Sequence, residues 1–267
     1  MQRHFILAVI FLCLGSSFSR ADNYDLNLIK SIDVSNGYFT TDPIGNIYLV
    51  RDENFLVKYN AQGDSLAVFN DVTFGSITSI DATNPLRILV FYADFGRIKI
   101  LDNILSLKNE LDLTKLGLFN VPAVANSQDG TIWVFDPAGQ LLKIDDRLEI
   151  KHSYPLRNML DFAVSPSHLV ERDRILYMTD TAQGILQFDR FGFYRTVYRF
   201  KAAESNVLNS YIVYYDKGVL HSYHTKSLRS ANIKLPDQED VLNARLEKNL
   251  IFILRNKKLD IYTFRQK

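Results

Sequence analysis

Apolar residues along this chain gather into short unbroken runs separated by charged turns. Ile47-Tyr48-Leu49-Val50 is one such run, and after Arg51-Asp52-Glu53-Asn54 a second follows at once, Phe55-Leu56-Val57-Lys58-Tyr59. Continuous β-branched and aromatic runs of this length fit strands buried on both faces, since half-exposed strands alternate. No amphipathic helix of convincing length is legible. Residues 105–118 fit a helical period only loosely, because Leu111 and Leu113 alternate as in a strand and Gly117 weakens a helix interior.

The paired runs recur. The first apolar positions of the units are Ile47, Ile88, Ile132, Ile175, Val219 and Ile251, spaced 41, 44, 43, 44 and 32 residues apart. A second series follows the first at residues 56–60, 98–102, 141–145, 185–189 and 259–263. Four of these runs end in Asn or Asp, whose side chains open turns by bonding their own backbone. A period near 40 is that of propeller blades. The pattern predicts an all-β fold, a six-bladed β-propeller of four-stranded antiparallel blades. In unit one the strands fall near residues 38–42, 46–50, 55–60 and 65–69. The last unit supplies only three, so the N-terminal run at 26–33 is predicted to complete blade six and close the ring, which leaves no open end. The spacing of 32 predicts a trimmed fifth blade around residues 227–236.

Two stretches carry a family likeness. Asp129-Gly130-Thr131-Ile132-Trp133-Val134-Phe135-Asp136 and Ile185-Leu186-Gln187-Phe188-Asp189 resemble the NHL-type repeat of six-bladed propellers. That repeat runs acidic-Gly-x-Ile-Tyr-Val, then Ala-Asp, then a strand ending Val-Phe-Asp. Ile77-Thr78-Ser79-Ile80-Asp81-Ala82-Thr83-Asn84-Pro85-Leu86 is similar to envelope propellers of bacteria that use type IX secretion. The likeness implies an envelope setting and assigns no activity.

The front of the chain agrees with that setting. Residues 1–21 read as a secretory leader: Arg3, an apolar stretch at 5–15, and Ser19-Arg20-Ala21 before a cut at Asp22. The stretch is too short for a membrane span, and Ile10-Phe11-Leu12 is too bulky before Cys13 for lipid attachment. The mature domain, 22–267, then has no cysteine, no transmembrane segment of its own and no Asn-x-Ser/Thr acceptor. This points to the periplasm of a Gram-negative bacterium. Without Arg3 and Arg20 the balance is 29 basic to 30 acidic residues, which is not the footprint of a nucleic-acid binder.

Candidate chemistry is sparse. Asp52, Asp94, Asp136, Asp180, His224 and Asn256 close the first run of each unit. They form either a polar crown on one face, able to hold a cation or a basic peptide, or a set of turn-starting residues. Aromatics at or beside turns, Phe91, Tyr92, Phe95, Phe191, Phe193 and Tyr194, either contact a partner or fill gaps between blades. His221 and His224, three apart on a strand, face opposite sides and do not share a metal. His152 and His168 read as surface or turn residues. No nucleophile elbow, phosphate loop or cofactor motif is present.

The expected function is therefore a non-catalytic periplasmic scaffold that binds another envelope protein or complex, with an accessory role in outer-membrane assembly or type IX export as its setting. The alternative is a lactonase-like or sugar-binding propeller holding a metal or ligand in its tunnel. Thr40, Asp81, Asn126, Asp161 and Asn209 would then be drawn from the innermost strands. A purely structural envelope protein is a third reading.

Overall fold

A computed structural model describes residues 24–266; the leader expected at 1–21, with Cys13, lies outside the described residues. Six four-stranded antiparallel sheets account for all 24 strands among the described residues. Blade one is β2 (Gly37–Thr41), β3 (Ile47–Arg51), β4 (Phe55–Tyr59) and β5 (Ser65–Asn70). Blade two is β6 (Ser79–Asp81), β7 (Ile88–Tyr92), β8 (Arg97–Leu101) and β9 (Leu107–Asp112). Blade three is β10 (Ala123–Asn126), β11 (Ile132–Asp136), β12 (Gln140–Ile144) and β13 (Ile150–Pro155). Blade four is β14 (Pro166–Arg172), β15 (Ile175–Asp180), β16 (Gly184–Asp189) and β17 (Tyr194–Tyr198). Blade five is β18 (Asn206–Leu208), β19 (Tyr211–Asp216), β20 (Val219–His224) and β21 (Arg229–Lys234). Blade six is β22 (Val241–Glu247), β23 (Leu250–Arg255) and β24 (Lys258–Gln266), completed on its outer side by β1 (Tyr24–Asp33).

The expected closure is present: β1 pairs antiparallel with β24 from Tyr24 opposite Gln266 to Asp33 opposite Lys258, with one bulge between Leu28 and Lys30. The unbroken apolar runs are explained by their neighbours. Each gap between adjacent blades holds its own hydrophobic cluster, and both faces of β3, β7 and β11 are buried. Phe39 and Leu49 meet Phe252 and Leu259 between blades one and six, and Phe91 meets Val134 between blades two and three. Trp133 meets Leu176 between blades three and four. Similar clusters fill the other three gaps, so the ring is closed. Each such fully buried side chain stabilises the ring by roughly 1.5–3 kcal/mol.

Two expectations are corrected. Blade five is not trimmed; it has four strands, and the irregular spacing arises because Val219 is not the counterpart of Ile175 and Ile251. Val219 begins β20, the third strand, while the second strand is β19. Counted from second strand to second strand, the last two intervals become 36 and 39 residues. Two-residue turns at Asn209-Ser210 and Lys217-Gly218, with positive φ at all four positions, join the first three strands of blade five, as two-residue turns also do at Asp173-Arg174 in blade four and at 248–249 and 256–257 in blade six. The second correction is small: β9 stops at Asp112, and Leu113–Leu116 forms one 3-10 turn whose Thr114 N–H is capped by the Asp112 carboxylate at 3.0 Å.

Because strands alternate in direction, connections alternate in side. One face, here the crossing face, carries the second-to-third-strand hairpins and the blade-to-blade crossings. The other, the turn face, carries the first-to-second and third-to-fourth turns.

Candidate functional site

The innermost strands β2, β6, β10, β14, β18 and β22 surround the axis, and their polar side chains tie blade to blade. The Asn126 N–H donates to Asp81 Oδ2 at 2.7 Å, and its side-chain amide donates to the carbonyls of Asp81 and Arg87. Glu171 accepts from Ser127 Oγ at 2.7 Å, from the Gln128 N–H at 3.0 Å and from the Trp133 indole. The Asn206 amide donates to the Leu246 carbonyl at 2.9 Å. Arg172 pairs with Glu247 at 3.1 Å, and Arg245 pairs with Glu204. Burial pushes the Glu247 carboxyl up, opposed by Arg172 and Arg245. Burial likewise pushes the His168 imidazole down, which keeps it neutral near pH 7.

Hydrogen bonding along the axis is incomplete. Among the described residues Thr41 Oγ1, His168 Nδ1, Arg172 Nε, Asn206 Oδ1 and Arg245 Nε, all on innermost strands, are buried without a partner, as are Arg51 Nε and Tyr92 Oη on second strands. Such a group costs about 1–3 kcal/mol. His168 thus stands half-buried on the innermost strand β14 with its Nδ1 enclosed, rather than in a turn.

The five residues named for a tunnel metal do not come together. Asp161 is an exposed residue ahead of β14, and Asn209 occupies a tight turn at positive φ. Asp81 and Asn126 are bonded to each other, while Thr40 is buried on β2.

The six run-closing residues separate as well. Asp52, Asp94, Asp136, Asp180 and Asn256 stand at second-to-third-strand hairpins on the crossing face. His224 ends a third strand on the opposite face, and the position equivalent to the other five in blade five is Asp216. Turn chemistry occupies two of them: Asp136 Oδ1 accepts the Ala138 N–H, and Asp180 accepts those of Ala182, Gln183 and Ser165. His221 is bonded to Asn232, and His224 to Ser227. His152 stacks at 6.0 Å on Tyr154.

The aromatics divide between core and surface. Phe91 and Tyr92 are fully buried between blades, and Tyr194 packs edge-on against Phe188. Phe95 is exposed on the crossing face, Phe191 and Phe193 on the turn face.

A feature missed in the sequence recurs in four turns of the turn face. Ile44, Leu86, Ile104 and Phe191 are 57%, 73%, 63% and 52% exposed, and each follows two residues after an Asp or Asn. In every case the apolar residue's own N–H donates to that side chain, at 2.9–3.0 Å: to Asp42, Asn84, Asp102 and Asp189. These turns hold bulky groups outward in a fixed conformation. At the same turn position stand Gln62, Thr83, Thr131 and Arg147 elsewhere on the turn face and Thr73, Thr114, Ala138, Ala182 and Glu239 on the crossing face, where Val72, Phe95 and Phe119 are exposed at other positions. The signal was legible as Asp/Asn-x-apolar, and it recurs in four turns.

This architecture defines the class: a closed six-bladed β-propeller. No protein-family model matches the chain, and no curated protein matches its sequence. Solved structures share the fold at low identity. The chain is similar to virginiamycin B lyase from Staphylococcus aureus, at 13% identity and a TM-score of 0.61, covering 90% of this chain and 99% of that one. It is similar to the Pan2 WD40 domain of Neurospora crassa, at 10% identity and a TM-score of 0.61, covering 91% and 96%. It is also similar to PorZ, an essential surface component of the type-IX secretion system of Porphyromonas gingivalis. There identity is 13% and the TM-score 0.50, over 91% of this chain and 39% of that one. Among the described residues no helix is long and apolar enough to cross a membrane.

Proposed function

We propose that the protein is a non-catalytic scaffold of a bacterial envelope, delivered to the periplasm by residues 1–21, and that its turn face docks another envelope protein. The observation that carries this reading is the set of outward apolar tips at Ile44, Leu86, Ile104 and Phe191, each pinned by its own turn. Preformed apolar anchors bind at a lower entropic cost than mobile ones. An accessory role in type IX export or outer-membrane assembly is the finer reading. It draws support from residues 77–86 and from the fold shared with PorZ.

The test is native extraction of the tagged protein beside a variant carrying I44S, L86S, I104S and F191S. A defined envelope partner retained by the first and lost from the second supports the reading. A solitary particle under gentle extraction, or a partner held equally by both, overturns it.

A second reading has one observation in its favour, the unpartnered donors and acceptors near the axis. It is a small-molecule site between His168, Glu204 and Arg245, and it predicts that R245M abolishes ligand-induced thermal stabilisation.

A further inference from the structure

The third strands of blades one to three each carry a buried lysine: Lys58, Lys99 and Lys143 are 5%, 4% and 2% exposed. In register they stand opposite Tyr48, Val90 and Trp133 of the second strands. Each ammonium lies over an aromatic ring, 5.3 Å from that of Tyr48, 4.9 Å from that of Phe74 and 4.3 Å from that of Trp133. Lys143 also pairs with Asp129, which precedes Trp133 by four residues. A buried ammonium is tolerated in such a place because a ring face and an oxygen acceptor stand in for its water.

Blade four keeps this arrangement without the lysine. Tyr177 takes the place of Trp133, Asp173 precedes it by four residues as Asp129 precedes Trp133, and the register partner of Tyr177 is Gln187. Glutamine is shorter and uncharged. A cavity of about 450 Å³ opens there on the turn face between blades four and five, lined by Asp173, Tyr177, Gln187 and Tyr198 from one blade and by Ser210 and Lys226 from the other. Gln187 Nε2 donates to the Tyr177 hydroxyl at 3.3 Å. Asp173 makes no hydrogen bond or ion pair among the described residues. Its charge is felt at Tyr177, whose hydroxyl is pushed up by burial first and, against the Gln187 hydrogen bond, by Tyr198 and Asp173.

We infer that the cavity between blades four and five binds a primary alkylammonium ion, which takes the part that Lys143 plays in blade three. The Tyr177 ring and the Asp173 carboxylate receive the charge, and the alkyl chain lies along the space that a lysine stem fills in blades one to three. The volume falls within the range of small-ligand sites, and the lining mixes an aromatic surface with a few convergent polar groups. Lys226 is exposed on the facing turn and pairs with no carboxylate among the described residues, so it does not already fill this role. A free amine and the lysine of another protein share this chemistry, and the experiment separates them. The inference shares no residue with the four apolar tips or with the axial reading and stands independently of both.

The test is an NMR titration of the intact protein with n-pentylamine, read at the backbone amides of Asp173, Gln187 and Ser210. Saturable shifts are expected there, and none with n-pentanol, the neutral counterpart. Asp173→Asn, at an exposed position, should weaken binding by about tenfold or more. Gln187→Lys rebuilds the blade-three arrangement, so it should abolish the shifts and melt no lower than the parent. Tighter binding of n-pentylamine than of Nα-acetyl-lysine methylamide marks a free amine as the source, and the reverse marks a lysine side chain. An absence of saturable shifts overturns the inference, as do equal shifts from n-pentanol or undiminished binding in Asp173→Asn. Binding that emerges only in Lys226→Ala would also overturn it, by making Lys226 the occupant.

Discussion

The Ser31 hydroxyl donates a 2.6 Å hydrogen bond to Asp260 Oδ1, joining the first described strand to the last across 229 positions. Asp260 is fully buried, and its other carboxylate oxygen accepts from Arg255 Nε at 3.0 Å with Lys258 3.3 Å away. Arg255, itself 5% exposed, also donates to the Asp237 and Glu239 carbonyls. The ring's seam therefore rests on a shared buried carboxylate as well as on main-chain pairing.

Removing that carboxylate strands a buried guanidinium. Asp260→Ala is expected to lose about 3–5 kcal/mol, and Ser31→Ala only about 1 kcal/mol. Urea titration of the two variants against the parent measures both. Equal losses would mean that the hydroxyl, not the ion pair, carries the seam.

Glu171 offers a second, optically visible test. It is 3% exposed and serves three donors from blade three, including the indole of Trp133, the chain's single tryptophan. Glu171→Ala leaves those donors unpaired, and a loss of roughly 3 kcal/mol or more is expected. Trp133 fluorescence should report unfolding at lower denaturant, with its folded-state emission shifted relative to the parent. An unaltered midpoint would show that water replaces the carboxylate.

Blade number and closure were legible because they rest on composition that repeats. In five of the six blades the second strand is buried on both faces, so its run of Ile, Leu, Val and aromatics betrays it, and the missing outer strand of the last unit calls for residues 26–33. The third-to-fourth turns were legible too. Asn60, Asp102, Asp145 and Asp189 each accept two N–H groups of their own turn, as Asn and Asp at run ends suggested. Blade five misled because His221-Ser222-Tyr223-His224 follows two apolar residues as a second strand would, while its true second strand holds Tyr214 and Tyr215, half exposed. The axial network was out of reach for a different reason. Arg172 and Glu247 stand 75 positions apart, and only the closed ring brings them to 3.1 Å.

Gly184 is held by backbone geometry. Its φ is +105°, and a Cβ there would lie 2.2 Å from the Tyr198 carbonyl oxygen, part of the strand that pairs with β16. Gly184→Ala is expected to cost about 2–4 kcal/mol, combining torsional strain with displacement of β17. Gly117 is the control: its φ is +73°, but nothing lies within 4 Å of the place a Cβ would take, so Gly117→Ala should cost about 1 kcal/mol. Thermal melts of both separate steric contact from strain; equal losses would remove the contact as a cause.

Acid stability should depend on two carboxylates with opposite signs. Burial acts to raise the Asp71 carboxyl, but hydrogen bonds from Lys99 and Thr73 outweigh it and bring the folded value to about 2, against an ordinary 3.8. A depressed folded value stabilises above the unfolded one, so Asp71 contributes fully above about pH 4 and loses that contribution as pH falls toward 2. After allowance for solvent screening this is on the order of 1 kcal/mol. Glu247 works the other way. Its folded value is raised by burial above the ordinary 4.5, so the folded state binds the extra proton, and stability rises as pH falls through that raised value toward 4.5. Denaturant titrations across pH 2–7 should therefore show a shallower acid loss between about pH 4 and 2 in Asp71→Asn. In Glu247→Gln the gain on acidification should vanish above about pH 4.5, with the lower window untouched. A parallel change in both windows for either variant would mean that the two groups titrate as one network rather than at separate ends of the ring.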